Sequence, residues 1–259
     1  MGGVTQPDRS GGVQSLDRAF ALLEHMADAG GDVALSELAV RSGLPLPTIH
    51  RIVRTLVASG YVRQLPSRRY ALGPRLIGLG DAASRMLGEW ARPQLAQLVD
   101  QAGETANLAM LDGDAVVYVA QVPSRHSMRM FTEVGRRVPV HCTGVGKVLL
   151  AQLPPPQVHA ILVRAGMPAQ TPHTITDPER LARELDRIRH QGYAVDDAEQ
   201  ELGVRCVAVA VPGGRSTTAL SVSGPETRVT WDLVERIVPL LQQAAAALAG
   251  HLDGRGVTA

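Results

Sequence analysis

The sequence predicts an α+β chain in two parts: a small helical module closed by a β-hairpin, then a helix leading into a larger domain on an antiparallel sheet. Three observations predict it. Residues 13–73 read in order as helix, short helix, helix and hairpin. The second half mixes strands and helices without strict βαβ alternation and without a Gly-rich phosphate loop, which favours an antiparallel sheet. At 259 residues, with 45% apolar and 20% charged residues, the chain suits two ordinary globular domains.

Residues 1–12 are Gly-rich and polar and read as a disordered arm. From Val13 to about Ala29 the apolar residues Leu16, Ala19, Phe20, Leu23, Met26 and Ala27 recur at helical spacing, and Gly30-Gly31 stops the helix. Ser36 is the expected cap of a short helix, Glu37 to Ser42, ended by Gly43. A third helix runs from about Pro47, where a missing N–H is harmless, to Ser59. Its apolar stripe is Ile49, Ile52, Val53 and Leu56; Thr48, His50, Arg51, Arg54 and Thr55 lie on its other faces. Tyr61–Arg63 and Arg69–Leu72 read as two strands around a Pro66-Ser67-Arg68 turn.

This order is the winged helix-turn-helix plan, whose last helix enters the major groove while the hairpin touches flanking backbone. Charge distribution agrees. Between Leu38 and Gly80 there is no Asp or Glu, yet the stretch holds Arg41, Arg51, Arg54, Arg63, Arg68, Arg69 and Arg75. A basic stripe in a chain of net charge +1 is a polyanion footprint confined to one module, although a solvated face in an arginine-rich chain would carry the same charge. Thr48, His50, Arg51, Arg54, Arg63, Arg68 and Arg69 are the candidate contacts to duplex DNA.

Residues 74–92 read as a linker helix with Leu76, Leu79, Ala83, Met86 and Leu87 on one face, suited to pairing with its own copy. Residues 93–252 form the second domain, followed by a tail at 253–259. Its strand-like runs are Ala106–Met110, Ala115–Gln121, Val204–Val211 and Ala219–Ser223. Helices are expected at Lys147–Gln152, Gln157–Arg164, Asp177–His190 and Trp231–Leu252, the third with a capping box of Thr176 and Glu179.

Other classes are poorly served. Two cysteines are too few for a disulfide scaffold, and neither Cys-x-x-Cys nor His-Glu-x-x-His spacing is present, so no metal or other cofactor is expected. Aromatics at 3% do not suit a base-stacking single-strand binder. With no apolar leader and no long apolar run, the expected setting is the cytoplasm, away from the membrane.

The residues also resemble the IclR family of bacterial transcription regulators, over about Gly12 to Leu252. The resemblance rests on Gln14–Ala19, Gly43–Arg51, the stretch Gly135–Lys147, Asp196–Glu199, Gly203–Ala208 and Ser221–Pro225. It implies a GAF-like effector domain, dimers through the N-terminal half, often tetramers, and palindromic or near-palindromic operators. Gly103–Asn107, Ser127–Met130 and Gly144–Lys147 look most like members that regulate allantoin use and respond to glyoxylate. The effector-pocket residues that carry over are Gly144, Val145, Cys206, Ser221 and Ser223, with Met128 as an apolar wall and Asp196 as a hydrogen-bonding partner.

The chemistry is consistent with a small organic acid. Gly144-Val145-Gly146 before a helix can offer N–H groups to an anion, and Ser221 and Ser223, two apart on a strand, share a face. Blander roles compete: Cys206 as an ordinary buried thiol, the serines facing solvent, His141 as a structural hydrogen-bonder, and Lys147 as a salt-bridge partner. Two other functions are open at this point. One is a cysteine enzyme with Cys206 as nucleophile, His141 as base and Asp196 or Asp197 as orienter. The other is a DNA-binding architectural protein without a ligand.

Overall fold

The computed structural model describes residues 13–30, 32–127, 133–213 and 218–252, with the side chains of 84–87, 89 and 250–252 outside that description. The arm at 1–12, Met128 and the tail at 253–259 therefore lie outside the described residues. The chain divides into two compact units, Met1–Ala83 and Ser84–Ala259.

The first unit contains α1 (Gln14–Asp28), β1 (Asp32–Val33), α2 (Leu35–Ser42), α3 (Leu46–Ala58), β2 (Val62–Gln64) and β3 (Tyr70–Leu72). Leu22 and Met26 of α1, Leu38 of α2, and Ile49 and Val53 of α3 meet Val33 and Val62 in one buried cluster. The helical period thus turns one stripe of each helix inward. Gly43, at φ 66°, takes the left-handed conformation that ends α2. Two details differ from the sequence reading. The cap of α2 is Ala34, whose N–H donates to Glu37 Oε2 at 3.2 Å, with Ser36 already inside the helix. The hairpin also gains a third strand, because β1 pairs with β3 to give the order β1-β3-β2.

Helix α4 (Arg75–Leu87) and a single 3-10 turn at Glu89–Ala91 lead to α5 (Arg92–Ala102). Pro93 stands in the first turn of α5, where proline is well tolerated. The sheet of the second unit is built from β4 (Thr105–Asp112), β5 (Ala115–Val122), β6 (Arg137–Pro139), β7 (Ala194–Asp197), β8 (Val204–Ala210) and β9 (Thr218–Pro225). Every pairing is antiparallel, in the order β6-β5-β4-β9-β8-β7. The helices are α6 (Gly144–Ala151), α7 (Pro155–Ala165), α8 (Pro178–Gln191) and α9 (Trp231–Leu252). The cap of α8 is Asp177, which accepts from Arg180 N–H at 2.7 Å, rather than Thr176.

Strand alternation separates the two faces. Leu108, Val195, Val207, Val209, Leu220 and Val222 pack with α5 and α9. Ala109, Ala194, Ala208 and Ala219 point the other way, into a cluster with α6, α7 and α8. Alanines on that face let α6 come close to the sheet: a Cβ on Gly144 would meet Ala208 Cβ at 3.5 Å. Between Leu108 and Ala109 the β4–β5 register slips, so that Val119 is the extra residue of a bulge on β5. The bulge puts Tyr118 opposite Ala109 and Gln121 opposite Asn107, on one face although the two are three residues apart. Among the described residues no helix is long and apolar enough to cross a membrane.

Candidate functional site

The first surface belongs to α3 and the hairpin. With Ile49 and Val53 in the core, helix geometry turns His50, Arg51 and Arg54 outward, and all three are exposed; Thr48 is half-buried. Arg63 on β2 and Arg68 in the turn are exposed too. Among the described residues the guanidinium groups of Arg51, Arg54, Arg63 and Arg68 have no acidic partner, which leaves them able to meet a phosphate or a base edge.

Arg69 is placed differently. Its Nε donates to Asp32 Oδ1 at 2.8 Å, and its terminal nitrogens donate to Glu37 Oε1 and Oε2 at 3.1 and 2.8 Å. These contacts tie β3 to β1 and to the start of α2 and occupy the side chain inside the module. The physical reason lies just outside the acid-free stretch: Asp32 and Glu37 precede it in sequence but fold back onto it. Arg75 is also engaged, donating to Ser59 O at 3.0 Å and stacking over Tyr61.

The second site is a band of polar groups across the α6 face of the large sheet. In register, Asp196 on β7 stands beside Cys206 on β8, Ser223 on β9 and Thr105 on β4. One step along, Ala208, Ser221, Asn107 and Gln121 form a parallel row. Asp196, Cys206, Ser221, Ser223, Thr105 and Asn107 are all buried, so neither serine faces solvent. Asn107, Thr105 and Gln121 were not among the sequence candidates. Their signal was available, since Thr105 and Asn107 repeat the polar i, i+2 spacing of Ser221 and Ser223 inside another apolar strand.

Helix α6 begins over this band. It starts at Gly144, three residues before the sequence reading, with Thr143 as its cap: Thr143 Oγ1 accepts from Gly146 N–H at 3.1 Å. The close approach requires glycine. A Cβ on Gly144 would meet Cys206 O and Sγ at 3.2 Å, and one on Gly146 would meet Val140 O at 2.3 Å. The Gly144 N–H and the Ser221 hydroxyl stand near the Cys206 thiol and oppose the upward effect of burial on its pKa. Val145 puts its side chain in the apolar cluster, leaving backbone as its polar offering. A helix start carries partial positive charge, so this turn favours an anion.

Burial, reinforced by the Asp196 and Glu199 carboxylates, pushes the Cys142 thiol up to about 12; burial and Asp196 do the same to Cys206. Both are neutral thiols at neutral pH. The Cys142 thiol donates to Gln200 Oε1 at 3.2 Å. His141 is held neutral by burial, and its Nε2 donates to Pro168 O at 3.1 Å. A thiolate nucleophile beside an imidazole base is not what this arrangement provides.

Asp196 is the unusual acid. Burial pushes its carboxyl up to about 7, with the Glu199 carboxylate adding to the rise. Opposing it, Asp196 Oδ1 accepts from the N–H groups of Glu199 and Gln200 at 2.8 and 3.3 Å, and Lys147 lies nearby. Lys147, 1% exposed, hydrogen-bonds Glu199 and donates to Val195 O at 2.7 Å, with Glu184 3.5 Å away. It is a salt-bridge partner that pins α6 to the turn after β7 and to α8.

Residues 15–66 match the family described as the IclR helix-turn-helix domain, and residues 82–249 match that described as the bacterial transcriptional regulator IclR C-terminal. The transcriptional repressor IclR of Escherichia coli is 38% identical over 249 residues, covering 93% of this chain and 91% of that protein. The HTH-type transcriptional repressor AllR of Escherichia coli is 32% identical over 235 residues, covering 89% of this chain and 87% of that protein. Among solved structures, an IclR-type regulator from Alicyclobacillus acidocaldarius superposes with TM-score 0.82 at 32% identity, covering 92% of this chain and 98% of that one. An IclR homologue from Microbacterium hydrocarbonoxydans, complexed with 4-hydroxybenzoate, superposes with TM-score 0.77 at 26% identity, covering 93% of this chain and 100% of that one.

Proposed function

The chain belongs to the IclR family of bacterial transcriptional regulators, and on that premise we propose that α3 and the hairpin read an operator in cytoplasmic duplex DNA while a small organic acid on the polar band changes operator affinity. The observation that carries the DNA half is the outward set of Arg51 and Arg54, without an acidic partner among the described residues, on a helix whose opposite face is core. Thr48, His50, Arg63 and Arg68 complete the contact surface, and Arg69 holds the hairpin in position.

The ligand half rests on the first turn of α6 facing Cys206, Ser221 and Ser223, with Asp196 beside them. N–H and hydroxyl donors in a buried setting suit a carboxylate. The names of the related repressors support repression as the direction of control; its relief by the acid belongs to the proposal, with glyoxylate or another allantoin-pathway compound as the first class to test. Acid must bind the DNA-free and DNA-bound arrangements unequally, because only differential affinity can shift operator occupancy.

A homodimer, or a tetramer of such dimers, is the proposed assembly. Val13 at the cap of α1, Leu16 and Phe20 on α1, and Ile77 and Leu79 on α4 are large apolar side chains left exposed. Two-fold symmetry then presents two reading helices to a palindromic or near-palindromic operator.

The test is fluorescence anisotropy on DNA from upstream of the chain's own coding region. Arg51→Ala and Arg54→Ala should each weaken binding about tenfold or more while leaving acid binding intact. Cys206→Ala and Ser221→Ala should blunt the acid response without lowering DNA affinity. Loss of acid affinity in the arginine variants, or unchanged acid titrations in the other pair, overturns the assignment.

A further inference from the structure

The first turn of α3 is exposed and apolar together. The helix starts at Leu46 with Pro45 at its cap, and no side chain caps it. Pro45, Leu46 and Pro47 all stand at the surface. Leu46 is 49% exposed and takes no part in the buried cluster, whereas Leu44, two residues earlier, packs against that cluster. Proline lacks a backbone N–H, and none of these three side chains holds a polar atom. A lone exposed leucine is ordinary on a protein surface; what matters is where this one stands.

With Ile49 and Val53 inward, a turn of about 100° per residue sets Pro47, Arg51 and Arg54 along the outward stripe of α3. Leu46 and His50 lie along one edge of that stripe. The groove between α1 and α3 lies on the other edge, lined by Leu16, Ala19, Thr48, Ile52 and Thr55. Leu46 is therefore separate from the apolar face of α1 proposed for assembly. Side chains on a helix lean toward its N-terminus, so Leu46 and Pro47 project ahead of the two arginines. The surroundings are basic: Arg51 and Arg54 are exposed, and no carboxylate occurs in sequence between Leu38 and Gly80. Charge thus selects a polyanion as the surface that this apolar tip meets.

We propose that Leu46, flanked by Pro47, reads a thymine in each half-site by packing against its C5-methyl group in the major groove. The inference rests on the reading of α3 as the helix that enters that groove, and it adds a base preference which that reading leaves open. A helix-turn-helix brings the first residues of its second helix to the base edges. The major groove presents hydrogen-bonding groups on every base and one apolar group, the methyl of thymine. Side chains that neither donate nor accept would strip water from the polar edges and return nothing. Against the methyl they bury apolar surface on both partners. Arg51 and Arg54, farther along the helix, remain for guanine edges and phosphates.

The experiment is selection from a randomised duplex library by the full chain, run in parallel for wild type, Leu46→Ala and Leu46→Met. Wild type should recover half-sites that hold a fixed thymine. Leu46→Met keeps an apolar tip and should recover the same sites, whereas Leu46→Ala should tolerate any base at that place. The wild-type site is then remade with uracil for that thymine, which removes the methyl and leaves base pairing intact. Wild-type affinity should fall about fourfold for each methyl lost, and about tenfold or more over the two half-sites of a dimer. Leu46→Ala should lose less than about twofold on the same change, because the contact is already gone. Leu46 lies outside the core, and melting temperatures close to wild type will show that both variants fold.

Wild-type half-sites without a fixed thymine overturn the proposal. So does a uracil site that wild type binds as tightly as the thymine site. Equal weakening of wild type and Leu46→Ala by uracil also overturns it, since the methyl would then act through duplex shape or another residue. Recovery of no enriched site by wild type overturns the operator reading of α3 itself, and the role of Leu46 with it.

Discussion

Arg68 holds a backbone angle that glycine would adopt without strain. At φ 62°, in the turn of the hairpin, its Cβ crowds its own carbonyl at a cost of about 1 kcal/mol. The substitution Arg68→Gly is expected to raise unfolding free energy in urea by up to about 1 kcal/mol. If Arg68 makes the proposed phosphate contact, the same change should weaken operator binding and lower the salt slope by about one counterion. Asp196 yields a second prediction, with the sign fixed by linkage. Its folded carboxyl titrates at about 7, above the ordinary 3.8, so between those values the folded state holds a proton that the unfolded state lacks. Stability from this group is therefore full below the ordinary value and is lost as pH rises toward neutrality. Asp196→Asn should flatten that slope and be more stable than wild type at about pH 8, read from urea melts at both ends of the window. An anionic ligand beside Asp196 favours the neutral acid, so acid affinity should fall as pH rises past about 7, with proton uptake visible in titrations run in buffers of different ionisation enthalpy.

At the scale of elements, α6 depends on two glycines that no propensity scale would place in a helix. Gly146→Ala should destabilise the protein by about 2–3 kcal/mol, because the new methyl meets the backbone at Val140 O rather than a side chain that can swing away. Gly144→Ala should be milder in a thermal melt yet abolish acid binding in titration, since its Cβ lands at the Cys206 thiol. The same close approach explains why the start of α6 was read three residues late: two glycines in a row of three look like loop until a sheet is packed against them. Elements with a full stripe, such as α3 with Ile49 and Val53 inward, were legible because their period alone decides which side is core. So were β8 and β9, whose apolar runs exceed what a turn can hold. The two-residue β1 and the short β6 were not, because pairing with strands far along the chain makes them strands, and the four residues of β7 are too few to show a period. The caps of α2 and α8 also eluded sequence: Ala34 caps α2 with no side-chain acceptor of its own, and at α8 Thr176 and Asp177 offer comparable oxygens between which the folded backbone chose. For the ligand band, the serines and Cys206 were visible through the family resemblance, whereas Asn107 and Gln121 required strand register and a bulge.

For the whole molecule, the prediction concerns assembly. Phe20→Glu and Ile77→Glu each place a charge in an exposed apolar patch and cannot unsettle a core they do not enter. Sedimentation should show smaller species than wild type, with operator affinity reduced at least about tenfold, since one reading helix cannot use both half-sites. Equal sedimentation of all three proteins would remove these faces from the interface.

Lys147 also gives the molecule an unplanned chemical property. It is the one lysine in the chain, and it is enclosed with Glu199 and Glu184 around its amine. An acylating reagent cannot reach that nitrogen until α6 lifts from the turn after β7, so the rate of modification at Lys147 is a clock for opening of the domain. Mass spectrometry of a single peptide would follow that clock in crude extracts, free of the background that surface lysines impose on other proteins. A compound that settles on the neighbouring band should slow it, and would announce itself by that delay before its identity was known.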